Sequence, residues 1–267
     1  MSTGLIALAA FLGVGALSGL SAGLFGIGGG LLIVPVLVWL LPRMGIDPAV
    51  SVHLAIGTSL ATIVFTALSS IHAHNRRGAV RWDLFGHMLP GLVAGALAGA
   101  WLAHLLPGHG LKRVFGVFEL LIGLWLLAAP TVRAGLHQAG RWLLGMGGGV
   151  IGFVSALLGI GGGTLTVPFL LWHGVRAQEA VATASACGLP LALFGALGFV
   201  AAGWSDPRLP AGSTGYLYWP ALLGIVVASM LVAPLGARLA HALPAARLRR
   251  LFGVVVILLG VAMLWRG

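Results

Sequence analysis

Charged residues and cysteine are scarce in this 267-residue chain. Charged residues make up 7% of it, only five residues are Asp or Glu, and Cys187 is the single cysteine. One cysteine excludes an internal disulfide and a thiolate metal cluster. Hydrophobic residues amount to 59%, and this composition lies far from that of a soluble globular domain. The sequence therefore predicts an integral membrane protein.

The apolar residues are gathered into long runs, most of which can cross a hydrocarbon core about 30 Å thick as a helix of roughly 20 residues. The 15 Lys and Arg lie almost entirely in the links between these runs, where basic residues orient a membrane protein. We therefore expect membrane lipid, and not nucleic acid, as the partner of this basic chain. The runs are residues 5–41, 54–71, 84–103, 114–132, 142–172, 180–205, 211–237 and 251–265.

A glycine-rich segment occurs twice, each time inside one of the two longest runs. Residues 26–30 read Gly-Ile-Gly-Gly-Gly, residues 159–163 repeat them, and flanking residues match at the same offset. We predict two homologous halves, residues 1–135 and 136–267. A helix of 37 residues, the length of the first run, extends well beyond the bilayer core. Each half is therefore predicted to contain a Gly-broken helical hairpin and three transmembrane helices in an all-α polytopic bundle.

The distribution of Lys and Arg supports these hairpins. If each broken run returns to its starting side, ten of the 15 basic residues face one side of the membrane, which the positive-inside bias makes cytoplasmic. The halves are then inverted repeats, and both termini face the periplasm. The ten residues are Arg76, Arg77, Arg81, Arg133, Arg141, Arg176, Arg238, Arg247, Arg249 and Arg250.

Three glycines at four-residue spacing, Gly91, Gly95 and Gly99, form consecutive small-xxx-small steps. Such steps let two helix backbones approach closely in lipid. We expect these glycines to pack helices and not to bind a ligand.

Several short motifs resemble one transporter family. They are the doubled glycine segment followed by Val-Pro, the sequence Ala-Ile-Gly-Thr-Ser at residues 55–59, and Arg-Gly-Ala-Val at residues 77–80. Together they resemble the TauE/SafE sulfite exporters, also called the 4-toluene sulfonate uptake permeases. The resemblance implies a multi-pass transporter of the bacterial inner membrane for sulfite, an organosulfonate or a related small sulfur-containing anion. Residues 180–185 depart from residues 55–59, so the expected site is only approximately symmetric.

The two helix breaks are the predicted anion site, near the bilayer midplane. Broken helices at corresponding places in two halves point to a transporter's binding site, and helix starts attract anions. Alternatively, the glycines only permit close helix crossing, and the hydroxyls bond to their own helices. The candidate ligands are Gly28, Gly29, Gly30, Thr58, Ser59, Gly161, Gly162, Gly163, Thr164 and Ser185, with Thr166 as a further hydroxyl.

Glu119 is the one carboxylate inside an apolar run. An ionisable group at that depth is a candidate for function, and we consider it for carrying a coupling proton. We favour instead a contact with Arg or backbone near the membrane edge. The histidines show no metal-ligand spacing, so neither a metal nor a cofactor is predicted.

Two other functions compete with a carrier. A passive anion channel could use the same constriction. The segment 19–23, Gly-Leu-Ser-Ala-Gly, matches the Gly-x-Ser-x-Gly pattern of nucleophilic serines, and an intramembrane protease would pair Ser21 with a histidine from another helix. Such a short pattern arises easily in a glycine-rich chain, so we do not predict an enzyme.

Overall fold

The computed structural model describes residues 3–25, 29–76, 78–128, 140–242 and 245–265. These residues are almost entirely helical, and five of the helices are long and apolar enough to cross a membrane. The predicted all-α, multi-pass membrane fold is confirmed. The helices are α1 (Thr3–Phe25), α2 (Gly30–Leu40), α3 (Pro48–Asn75), α4 (Trp82–Leu105), α5 (Gly108–Ala128), α6 (Arg141–Leu158), α7 (Gly163–Trp172), α8 (Ala177–Ala202), α9 (Trp219–Ala242) and α10 (Ala245–Trp265).

Both long runs are broken at their glycines. The second break begins at Gly159, the residue that ends α6. Its φ of 68° lies in the left-handed region, which glycine adopts without the steric penalty of a Cβ atom. The helices after the breaks are short: α2 has 11 residues and α7 has 10. At 1.5 Å per residue, each is about half as long as the bilayer core is thick.

Helices α4 and α6 run parallel in close contact. Side chains added at Gly91, Gly95 and Gly99 of α4 would overlap the backbone of α6. The packing role predicted for these glycines is therefore confirmed, because only hydrogen atoms fit between the two backbones. The α6 carbonyl oxygens that they meet belong, in order, to Gly145, Gly149 and Phe153.

Helix α8 also runs parallel to α4. The Arg81 N–H, before the start of α4, donates to Thr183 Oγ1 at 3.0 Å, and Gly198 lies against Ala100 near the other ends of both helices. Since α6 and α8 share the direction of α4, the chain between them must travel back. Helix α7 is therefore the returning leg of a hairpin.

Helices α3 and α8, which occupy the same place in the two predicted halves, cross in opposite directions. Ser70 donates to Ser185 at 3.0 Å, whereas Leu60 lies against Gly195. Helices α5 and α10 are also antiparallel, with Gly116 against Gly260. Helix α1 packs mainly against α9, and α6 packs mainly against α4. Because α1 corresponds to α6 and α4 corresponds to α9 in the predicted repeat, these two helix pairs are equivalent. The predicted boundary at residue 135 lies outside the described residues.

A β-hairpin lies between α8 and α9, where the sequence predicted the start of an apolar helix. Its strands are β1 (Ser213–Thr214) and β2 (Leu217–Tyr218). The hairpin packs on α3: the Tyr216 carbonyl lies against Gly57, and Thr58 Oγ1 accepts the Tyr218 N–H at 3.0 Å. Because these contacts bury apolar hairpin residues, hydropathy alone could not separate the hairpin from the helix.

An ion pair braces the link that leads into the hairpin. Arg208 donates to Asp206 at 2.7 and 2.8 Å, and the Tyr216 hydroxyl donates to the same carboxylate at 3.0 Å. The Arg208 side chain holds the pKa of Asp206 well below its usual range. Burial, followed by the hydrogen bond to Asp206, raises the pKa of Tyr216 to about 12. The link and hairpin are thus fixed to each other at neutral pH.

Candidate functional site

The two helix breaks meet in the interior. Gly30 begins α2 against the second break: a Cβ added to it would lie 2.9 Å from Ile160 Cα, in direct conflict with the backbone. Gly159 in turn lies against Ile56 of α3. Glycine is therefore required at Gly30 by the close approach of the two broken segments.

Beside this crossing lies a cavity of about 70 Å³, which we call the glycine cavity. Such a space is of the order of a few water molecules, or one small oxyanion. Its glycines 161–163 are buried, whereas Thr66, Ser70 and Ser185 are half-buried at its rim. The full lining consists of Ala22, Ile63, Thr66, Ala67, Ser70, Gly161, Gly162, Gly163, Ala184, Ser185 and Gly188.

The polar groups of the glycine cavity are all uncharged. Ser70 donates to Ser185, and Ser185 donates to the Val181 carbonyl of its own helix at 3.0 Å. Gly162 caps α7 without a side-chain hydrogen bond, and a helix start leaves N–H groups without intrahelical partners. Hydroxyl groups and main-chain amides therefore meet at the start of a helix, where an anion is favoured.

The structure brings together four of the predicted ligands: Gly161, Gly162, Gly163 and Ser185 line one cavity. Thr164 and Thr166 are buried at the start of α7 but do not line it. Their hydroxyl groups have no hydrogen-bond partner in the described part of the chain.

The predicted ligands that the structure describes at the first break and at residues 58–59 of α3 are neighbours of the cavity and do not line it. Gly29 caps α2 beside Ser18, and Gly30 packs on the second break. Ser59 donates to the Gly159 carbonyl at 2.8 Å and so supports the break, while Thr58 holds the β-hairpin. Gly28 lies outside the described residues.

The lining residues that sequence reasoning missed include Thr66, Ser70 and Gly188. A signal for the first two was present. Hydroxyl residues on α3 recur at positions 59, 62, 66 and 70, a spacing that places them on one helix face. Gly188 carried no comparable signal, because its role depends on Gly162 of α7, which lies against it.

Glu119 lies in the middle of α5, facing α10. Its side chain is fully buried, its Cβ is close to Gly260, and neither carboxylate oxygen has a hydrogen-bond partner among the described residues. The favoured interpretation, a contact with Arg or backbone near the membrane edge, is therefore wrong. Glu119 does not line the glycine cavity either.

Ser21 lacks the surroundings of a nucleophile. Its hydroxyl donates to the Ser18 carbonyl of its own helix at 2.9 Å, and no hydrogen bond joins it to a histidine within the described ranges. His53, a histidine on another helix, has its Nε2 at 3.0 Å from the Ala103 carbonyl. Among the described residues, no three His, Cys, Asp or Glu residues are grouped to hold a metal ion.

Comparison with known proteins agrees with a transporter. The family model of the sulfite exporter TauE/SafE matches residues 11–263. A probable membrane transporter protein of Haemophilus influenzae is 34% identical over 94% of this chain and 95% of its own length. One from Xylella fastidiosa is 30% identical, covering 96% of this chain and 94% of the relative. The probable membrane transporter protein YunE of Bacillus subtilis is 27% identical, covering 95% of this chain and 96% of its own.

No solved structure matches this chain. The family and its relatives are membrane transporters and not enzymes, which removes the protease hypothesis for Ser21. The family match covers nearly the whole chain, including both helix breaks. The chain belongs to the TauE/SafE sulfite exporter family.

Proposed function

We propose that this protein is a carrier of the bacterial inner membrane that binds a small sulfur-containing oxyanion, such as sulfite or an organosulfonate, in the glycine cavity. The observation that carries the proposal is an uncharged cavity at the start of a broken helix, where that helix meets its counterpart from the other half. Neutral donors are suited to transport, because a site must release its ion as well as bind it.

The same proposal includes two inverted halves, residues 1–135 and 136–267. Its support is the opposite direction of corresponding helices, seen for α3 with α8 and for α5 with α10. Inverted repeats place a substrate between discontinuous helices and allow access to alternate by movement of one repeat against the other. The proposed binding site then lies at the contact between the halves.

A carrier is favoured over a passive channel by the β-hairpin. The cavity rim includes Ser70, near the end of α3, whereas the hairpin covers Thr58 on the same helix. Twelve residues of helix separate them, or about 18 Å at 1.5 Å per residue. We infer that the site is reached from the end of α3 while the hairpin seals the other side, as alternating access requires.

Gly188→Ala is the sharpest test of the cavity. A Cβ at Gly188 would lie 3.5 Å from Gly162 N, an ordinary contact, so the helix tolerates it while a methyl group enters the cavity beside that amide. Gly162→Val is less suitable, because even its Cβ would lie 2.9 Å from the α8 backbone. Gly149→Ala is the matched control: it also replaces a glycine inside a helix, and its nearest neighbour is 3.9 Å away.

The assay is uptake by purified protein in proteoliposomes across sulfite, thiosulfate, taurine, sulfonates and sulfate. At least one sulfur-containing anion should accumulate against its gradient. Losing one hydrogen bond to a charged ligand costs about 1.5 to 3 kcal/mol, so Gly188→Ala should weaken that anion's binding by about tenfold or more, with Gly149→Ala unchanged. Equal affinity in Gly188→Ala and the parent protein would remove the glycine cavity as the site. Conductance far above carrier turnover would show a channel.

A further inference from the structure

A second cavity, of about 540 Å³, lies where α4, α6 and α8 begin and α7 ends. We call it the basic cavity. It shares no lining residue with the glycine cavity, so the proposed transport site does not account for it. Its ionised lining residues are Arg81, Asp83, Arg141, Arg176 and Glu179.

The charges of the basic cavity do not cancel. Arg81 contacts both carboxylates, at 2.7 Å from Asp83 and 3.8 Å from Glu179. Arg141 and Arg176 form no ion pair within the part of the chain that the structure describes, and both are exposed. Three guanidinium groups thus face two carboxylates, and two of the three remain available to an anionic ligand.

The backbone adds to this positive field. The residues before α4, α6 and α8 are Arg81, Gly140 and Arg176, and none of them caps its helix through a side-chain hydrogen bond. Each helix start carries the equivalent of roughly half a positive charge. Asp83 and Glu179 lie in the first turns of α4 and α8, whereas the first turn of α6 has no acidic residue. The start of α6, together with the arginines, therefore strengthens the preference of the cavity for an anion.

Tryptophans indicate the depth of the cavity in the membrane. Trp82, Trp142 and Trp172 stand at the ends of the helices that form it, and their exposed fractions are 49%, 78% and 72%. Tryptophan rings are enriched at the level of the lipid headgroups. The basic cavity is therefore open at the depth where lipid phosphates lie.

We propose that the basic cavity binds the phosphate of an anionic phospholipid headgroup, with Arg141 and Arg176 as its ligands. Basic pockets between transmembrane helices are suited to anionic headgroups. Arg81 serves a different purpose: held by Asp83 and Glu179, it joins the start of α4 to α8 and shapes the cavity wall.

The test is a titration of the full-length detergent-purified protein with dioctanoyl phosphatidylglycerol, followed by the rise in unfolding temperature that a ligand of the folded state produces. Dioctanoyl phosphatidylcholine and inorganic phosphate are titrated in parallel. Saturable stabilisation by phosphatidylglycerol, with weak effects of the other two, is the expected result. Equal stabilisation by phosphatidylcholine overturns the proposal. Equal stabilisation by inorganic phosphate also overturns it, because it would show a site for soluble anions.

Charge-removing variants locate the site. Arg141→Gln and Arg176→Gln should each weaken the apparent affinity for phosphatidylglycerol by about fivefold, the effect expected of one basic residue at an anionic surface. Arg250→Gln is the control, because Arg250 is exposed near the start of α10 and does not line the cavity. It should change the affinity by less than about twofold, because Arg250 is not one of the proposed phosphate ligands.

An equal loss in all three variants overturns the proposal in favour of diffuse attraction. The unfolding temperature without lipid shows whether each variant is folded. If one glutamine variant is unstable, its lysine counterpart, which keeps the charge, should retain most of the binding, and the other arginine decides the outcome. Unchanged affinity in both cavity variants also overturns the proposal.

Discussion

Thr58 offers a direct test of how the β-hairpin is held on α3. Its buried Oγ1 accepts the Tyr218 N–H at 3.0 Å, a bond between residues 160 positions apart in the sequence. Thr58→Val keeps the shape of the side chain and removes the acceptor. A donor left without a partner costs about 1 to 3 kcal/mol, which corresponds to about 5- to 150-fold in an equilibrium between closed and open hairpin.

Hydrogen exchange of residues 213–219 in the purified protein measures this opening. Thr58→Val should speed exchange in that segment by a factor within the calculated range and leave the middle of α4 unchanged. Thr62→Val is the matched control: Thr62 is also buried on α3, but its hydroxyl donates to the Thr58 carbonyl within the same helix. It should leave hairpin exchange near the parent value.

Two results would refute this reasoning. Unchanged exchange in Thr58→Val would show that the bond to Tyr218 does not hold the hairpin. Unchanged exchange together with weakened anion binding would make Thr58 a substrate ligand, as the sequence predicted, and would extend the site beyond the glycine cavity.

Three further predictions concern other parts of the bundle. Glu119→Gln should abolish uptake driven by a proton gradient and preserve exchange of anion for anion. If the variant keeps both activities, or loses both, Glu119 does not carry a coupling proton. Gly95→Val should destabilise the protein by about 1 to 3 kcal/mol in thermal unfolding, because overpacking separates α4 from α6, and an unchanged melting curve would contradict the packing role. Arg208 lowers the pKa of Asp206. The ion pair therefore contributes its full stabilisation of the folded protein at any pH above the ordinary Asp pKa of about 3.9, and this stabilisation is lost only as the pH falls through the lowered pKa of Asp206. Hairpin exchange, corrected for its intrinsic pH dependence, should therefore be flat between about pH 5 and 8, whereas Asp206→Asn should speed it at pH 7.

The helical architecture was largely predictable because its signals are local. Long apolar runs define the helices, and the three consecutive glycines mark both interruptions. The same glycines predict the region of the glycine cavity. A run of glycines lacks side chains, and its place before a helix start follows directly from the sequence. For that reason the sequence predicts Gly161, Gly162 and Gly163 as ligands; they line the glycine cavity, and their role in binding stays a prediction.

The remaining features depend on contacts between distant segments, which no local pattern contains. Thr58 and Ser59 looked equivalent to other hydroxyls near the breaks, yet each is engaged with a partner about 100 residues or more away. Hydropathy makes residues 211–237 one apolar stretch, although α9 begins only at Trp219. Likewise, the isolation of Glu119 between α5 and α10 follows from the pairing of these helices, which becomes visible only in three dimensions.

The β-hairpin makes the two predicted halves structurally unequal. Sixteen residues, 203–218, connect α8 to α9, whereas six residues, 76–81, connect α3 to α4. A carrier assembled from two identical inverted units would have outward-facing and inward-facing forms of equal free energy, each half populated. In the carrier that we propose, one form gains the contacts of the hairpin and the other has no equivalent. We therefore expect the empty protein to rest mainly in a single orientation, and a factor of ten in that preference needs only about 1.4 kcal/mol.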